Sequence, residues 1–167
     1  MKTSDRNPPI VCLSSSEADT IAIARVTANF FVQGDLCALM GDLGMGKSVF
    51  ARAVIHTIMG YDLNVPSPTY TLVQTYEGKR FPLMHFDLYR LENSEDVIEL
   101  GWQDRSHALA LVEWPEKLDT MYPAICWEVI FQMNQEVREI TISPPPGFEE
   151  RYCELKQKLL GLCGGNT

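Results

Sequence analysis

The chain is short of positive charge: 14 lysines and arginines stand against 22 aspartates and glutamates, for a net charge of −8. A surface of that sign repels the phosphates of nucleic acid and the anionic face of a membrane, which argues against holding either by charge alone. Any RNA the protein serves is therefore expected in the hands of a partner. Long apolar runs are missing too. None approaches the roughly 18 residues of a membrane span, and residues 1–9 carry charge and proline without an apolar centre. Neither an anchor nor a signal peptide is expected, and the chain reads as cytoplasmic. Cys12, Cys37, Cys126, Cys153 and Cys163 are odd in number, and no two lie two residues apart. That spacing suits neither a zinc site nor a disulfide framework. Three of the five sit in apolar segments, where a reduced cysteine behaves as a small hydrophobe. Internal repeats and long linkers are also absent, so one domain is expected over 1–167, with 146–167 as a terminal helix and tail.

What is present is a globular composition, 46% hydrophobic and 22% charged. Strand-like and helical segments alternate along it, which points to an α/β layer fold. A strand is expected at 10–13, followed by a helix that Ser16 caps, with Asp19 completing a capping box. Ala18, Ile21, Ala22, Val26 and Phe30 recur at helical spacing and are expected to be its buried face. A compact apolar run at 36–40 reads as a strand, and a helix from 47 to about 59 ends at Gly60. The prolines of Val65-Pro66-Ser67-Pro68 break regular structure. Residues 69–76 and 81–87 read as one hairpin, and 124–131 with 137–143 as a second around Met133-Asn134-Gln135. Asn93 or Ser94 caps a helix to about 100, a strand runs over 108–113, and a charged helix spans 148–162.

Gly41-Asp42-Leu43-Gly44-Met45-Gly46-Lys47-Ser48 matches G-x-x-x-x-G-K-[ST] in full. Glycines let the backbone turn tightly and approach a phosphate without an intervening Cβ. The loop amides, with Val49 just beyond, form a nest at a helix N-terminus, where the dipole favours negative charge. Lys47 reaches the β- and γ-phosphates and the Ser48 hydroxyl can ligate magnesium. Such a site needs an acid at the end of a neighbouring strand. Two apolar runs finish in one, at Asp87 and at Glu113, and either could serve the metal. Thr69, in the proline-stiffened Ser67-Pro68-Thr69-Tyr70, suits a γ-phosphate switch, or the segment is a plain turn. His85 shares the strand face of Asp87 and reads as packed or hydrogen-bonded. Trp102, Trp114 and Trp127 read as core or partner-facing aromatics rather than nucleotide stackers.

These segments together resemble the TsaE (YjeE) family of P-loop ATPases in tRNA threonylcarbamoyladenosine biosynthesis. The resemblance rests on the glycine loop, Val65-Pro66-Ser67-Pro68-Thr69-Tyr70, His85-Phe86-Asp87-Leu88-Tyr89-Arg90-Leu91, Leu100-Gly101 and Val112-Glu113-Trp114-Pro115-Glu116. It implies a P-loop NTPase-like three-layer sandwich, a mostly parallel central sheet flanked by helices with β-hairpin additions. It further implies ATP and Mg²⁺ as cofactors, and docking on the TsaD transferase and its TsaB partner, with tRNA met only through them. Lys47, Thr69, Asp87 and Glu113 would be catalytic, and Ser48, Asp87 and Glu113 would surround the metal. Ser48 replaces a frequent threonine, and Met45 stands where a small residue is common.

Two other uses of the same loop fit less well. A small-molecule kinase needs an arginine-bearing lid, and only Lys79-Arg80 clusters here. A GTPase needs an amide where Glu116 stands in Glu116-Lys117-Leu118-Asp119. A nucleotide-gated binding module with vestigial catalysis is the alternative from another class. The ATPase is expected to be weak alone, with Arg90 as an internal arginine candidate, and to be stimulated by its partners.

Overall fold

The structure, a computed structural model, describes residues 7–60 and 64–163. The described chain folds as β1 (Ile10–Ser14), α1 (Glu17–Ala28), β2 (Leu36–Met40), α2 (Lys47–Met59), β3 (Val73–Tyr76), β4 (Leu83–Asp87), β5 (Leu109–Glu113), β6 (Trp127–Asn134), β7 (Val137–Ser143) and α3 (Glu149–Cys163). Three 3₁₀ segments, Ser94–Leu100, Trp102–His107 and Pro115–Met121, lie between β4 and β6. One seven-stranded sheet runs β1-β7-β6-β2-β5-β4-β3. Its centre is parallel, with β2 between β5 and β6 and β4 on the far side of β5. Both edges are antiparallel, β3 on β4 and the β6–β7 hairpin with β1. The expected α/β sandwich with hairpin additions is what forms.

The two faces of the sheet follow from side-chain alternation along the central strands. Cys37, Leu39, Leu109, Leu111 and Leu83 point into a core shared with α1, α2 and α3. Leu36, Ala38, Ala110, Val112, Met84 and Phe86 point into a second core, closed by Val97, Trp102 and Leu118 of the 3₁₀ segments. Trp102 and Trp127 are both core residues. Strands buried on both faces read as continuous apolar runs, as β2 and β5 do. Cys12, Cys37 and Cys126 are buried cysteines outside any disulfide, and Cys153 is an exposed one.

Four expectations need correction. The buried face of α1 is Thr20, Ile23, Ala24, Thr27 and Ala28. Of the residues expected there, Phe30 just past the helix is buried and Ile21 and Val26 pack half-buried against the core, but Ala22 is only half-buried and Ala18 is exposed. This helix packs against β1, α2 and α3 at once, and small residues permit that close approach. Thr27 hides its hydroxyl on the Ile23 carbonyl at 2.8 Å, so a threonine can sit where an apolar residue was expected. The segment expected as strand from 69 begins only at Val73, because Leu72 N–H closes a turn onto the Pro68 carbonyl at 2.6 Å with Leu72 at φ 64°. The helix expected from 93 or 94 is the 3₁₀ segment Ser94–Leu100, which buries only Val97 and stops at left-handed Gly101. Finally, Asn134 pairs with Val137, so the second hairpin turns on Gln135-Glu136, with Gln135 at φ 58°.

Other local signals form largely as expected. Ser16 accepts the Asp19 amide at 3.2 Å as an N-cap should. The Asp19 carboxylate takes the Ser15 amide at 2.9 Å, one residue before the cap, in place of the Ser16 amide of a regular capping box. Gly60 ends α2 at φ 75°, its amide bound to the His56 carbonyl.

Candidate functional site

The parallel centre sends the carboxyl ends of β2, β4 and β5 to one edge, and the site lies there. Chain leaving Met40 must turn at once to enter α2. Gly41 does so at φ 142°, where an added Cβ would stand 2.5 Å from the Phe131 carbonyl oxygen. Gly46 caps α2 at φ 101°. Only glycine takes both positions without strain.

Lys47, the first residue of α2, is 4% exposed. Its ammonium donates to the Gly41 carbonyl and to the Asp42 carbonyl at 2.7 Å, and lies 4.1 Å from the ring centre of Trp114. Burial lowers its pKa; the carboxylates of Glu113, Glu116, Asp87 and Asp42 pull the other way. Asp87 and Glu113 are cross-strand partners at the ends of β4 and β5, 4% and 2% exposed. Each carboxylate is held at both oxygens. Glu113 Oε2 accepts from Ser48 Oγ at 2.9 Å and Oε1 lies 2.9 Å from His85 Nε2. Asp87 Oδ2 accepts from Thr69 Oγ1 at 2.8 Å and Oδ1 from the Tyr89 amide at 3.1 Å. Ser67 Oγ is 2.7 Å from Thr69 Oγ1, which ties the proline loop into the same network.

A cavity of about 230 Å³ collects these groups. Of the residues singled out from sequence, Leu43, Gly44, Gly46, Lys47, Ser48, Val49, Thr69, Asp87 and Glu113 border it. Gly41, Asp42 and Met45 instead border a neighbouring groove with Phe131 and Met133. Two further residues line the cavity, Tyr89 and Trp114, whose rings lie 4.9 Å apart. Trp114 follows Glu113 at φ 60°, and that reversal swings its indole over Lys47. A left-handed tryptophan leaves no mark in sequence, although its place directly after the strand-end acid was visible. Arg90 does not border the cavity; its guanidinium stacks 4.4 Å from the ring of exposed Tyr70.

The donor set fits a magnesium nucleotide. Hard oxygens are gathered from Ser48, Thr69, Asp87 and Glu113, beside one buried ammonium. Among the described residues no three histidine, cysteine or acidic side chains converge to hold a metal alone.

Sheet order, glycine turn and strand-end acids make this a P-loop NTPase-like α/β fold. The family is narrower still: the model for "Threonylcarbamoyl adenosine biosynthesis protein TsaE" matches residues 14–140, and the chain belongs to that family. The tRNA threonylcarbamoyladenosine biosynthesis protein TsaE of Rickettsia felis is 39% identical over 127 residues, 75% of this chain and 74% of the relative. The protein of that name from Bacillus subtilis is 32% identical over 137 residues, covering 81% and 86%. A crystal structure of Bacillus subtilis YdiB superposes with a TM-score of 0.71 at 28% identity, covering 92% of this chain and 95% of that one.

Proposed function

We propose that the protein binds ATP with Mg²⁺ and hydrolyses it in the cytoplasm, in support of threonylcarbamoyladenosine modification of tRNA. Its partners in this reading are the TsaD transferase and TsaB, and tRNA is reached only through them. One observation carries the proposal: Lys47, Ser48, Thr69, Asp87 and Glu113, from four separate segments, meet at a single cavity. The family's role in the same modification supports the choice of pathway.

Roles follow from chemistry. Loop amides and the positive end of α2 bind the phosphates. Lys47 leaves the carbonyls of Gly41 and Asp42 to pair with β- and γ-oxygens, exchanging neutral acceptors for charged ones. Ser48 and one of the strand-end acids would hold magnesium, which would supply charge neutralisation at the transferring phosphoryl group. Glu113 is already oriented by His85 and Ser48, so the carboxylate can align water or the metal shell without reorganising. Thr69 reports the terminal phosphate by trading its bond to Asp87 for one to the ligand. Among the described residues no arginine borders this cavity, and a slow isolated rate is expected, with stimulation by the partners.

A reconstituted modification assay tests the reading. With TsaD, TsaB and tRNA present, multiple turnover should need both this protein and hydrolysable ATP. Multiple-turnover product without the protein, or with a non-hydrolysable analogue in place of ATP, would overturn it.

A further inference from the structure

Lys47 and Glu113 line the same cavity, one buried ammonium and one buried carboxylate, yet each spends its hydrogen bonds elsewhere. The ammonium donates to the Gly41 and Asp42 carbonyls and lies against the Trp114 ring. The carboxylate is taken by Ser48 Oγ and His85 Nε2. Such separation runs against the local field. Burial lowers the pKa of Lys47, and of the four carboxylates that oppose this Glu113 acts most strongly. Opposite charges attract more strongly inside a protein than in water, so without a restraint the two groups would close on each other. An ion pair there would occupy the lysine that the phosphates need.

The restraint comes from β4. His85 is the cross-strand partner of Leu111, and Asp87 that of Glu113. Side chains two apart share a face of a strand, so His85 stands one step behind the two acids on their own face. His85 is 1% exposed, its Nδ1 is buried without a hydrogen-bond partner, and its Nε2 meets Glu113 Oε1 at 2.9 Å. An ionised carboxylate has no proton to give, so Nε2 carries the hydrogen and donates it. Ser48 holds the other oxygen, but it follows Lys47 directly in the first turn of α2. A carboxylate tethered only there can turn toward the ammonium.

We propose that His85 is a positioning residue for nucleotide affinity: its Nε2–H holds Glu113 away from Lys47 and so keeps the ammonium free for phosphate. The inference rests on the nucleotide-binding reading above. It goes past the aiming of Glu113 at water or metal, because it assigns His85 an effect on Lys47, exerted through Glu113.

The test is ADP calorimetry with Mg²⁺ on the full chain, with circular dichroism to confirm folding. His85→Leu removes the donor and leaves an apolar side chain in its place. It should weaken ADP by about ten- to a hundredfold, the range of one charge-assisted hydrogen bond that the nucleotide would have to break. His85→Gln, whose amide can still donate to Glu113, should bind ADP as the parent does. The double variant discriminates. With His85→Leu and Glu113→Gln together no charge remains to capture Lys47, so ADP affinity should return to that of Glu113→Gln alone. A His85 that only fills space would leave the double variant as weak as His85→Leu, and that result overturns the inference. So does a folded His85→Leu chain that binds ADP like the parent. Should the leucine variant not fold, Glu113→Gln alone serves as the test with His85 in place. Its ADP affinity should stay within about tenfold of the parent's, because the lysine is already free; a larger gain would show that the ion pair forms in the parent, and the inference falls. If ADP binds in a Lys47-dependent way while these readings fail, the glycine-loop reading stands without it. If the parent chain binds no ADP, both fall together.

Discussion

Replacing Glu113 separates its structural from its chemical role. Both oxygens are engaged, one by the Ser48 hydroxyl and one by His85 Nε2, each at 2.9 Å, with the acid 2% exposed. Glu113→Ala orphans both partners in a buried place, at about 1–3 kcal/mol each. A loss of about 2–6 kcal/mol lowers the melting temperature by about 4–24 °C in a chain of this size. Glu113→Gln behaves differently. Its carbonyl accepts from one neighbour while its amine donates to the other, since a hydroxyl and an imidazole nitrogen can each play either part. With His85 Nε2–H donating to the glutamine carbonyl and the glutamine amine donating to Ser48 Oγ, no proton has to move to the unpartnered Nδ1. The glutamine variant should therefore melt within about 3 °C of the parent. Its turnover should nevertheless fall by about 10²–10⁴, the worth of a positioned general base. ADP affinity should hold within about tenfold, because lost metal support is offset by relief of carboxylate–phosphate repulsion. Thermal melts, ADP calorimetry and phosphate release provide the three readings. Turnover equal to the parent's in the glutamine variant would refute the chemical assignment, and an alanine variant that melts with the parent would refute the buried linkage.

Further outcomes follow from the same geometry. Lys47→Ala should abolish detectable nucleotide binding by calorimetry while its circular dichroism matches the parent; parental turnover in that variant would contradict the phosphate assignment. Thr69→Val deletes the donor to Asp87 Oδ2 and should slow hydrolysis more than it weakens ADP, whereas Thr69→Ser should retain most of the rate. Equal rates in the valine variant would make the segment a plain turn. Asp35 supplies a pH test. Burial raises its pKa above the ordinary 3.8 against the Val32 amide, the Trp127 indole and Arg151. Folding thus favours its protonated form, and its contribution to stability is lost as pH rises from 3.8 through the higher folded value. Asp35→Asn keeps an oxygen for Val32 and Trp127, so melting curves should favour the variant increasingly across that window. A constant difference would show that the carboxyl does not titrate differently in the two states.

Much of the site could be read from residues because its chemistry is local. Gly41, Gly46, Lys47 and Ser48 act within one turn of backbone, and Asp87 and Glu113 announce themselves by ending apolar runs. His85 was legible as a hydrogen-bonded histidine, though the run could not say that its partner is Glu113. The misread face of α1 has a different origin. Periodicity marks where apolar residues recur, but three packed neighbours select small residues, and hydroxyls bonded within the fold can be buried as well as alanines. Trp114 escaped because a backbone reversal, not residue spacing, brings it to the cavity, and Tyr89 lies there packed against its ring.

Sequence by itself determined the alternation of elements, the phosphate-binding turn and the acids available to it, since each depends on neighbours within a few residues. Tertiary structure alone decided which strands lie side by side. That choice sets Asp87 against Glu113, brings Thr69 across to Asp87, and lays Arg138, 92 positions beyond Gly46, along the wall of the glycine loop. Such contacts arise from sheet order, which is fixed by the burial of two apolar faces at once and leaves no trace in the spacing of any single segment.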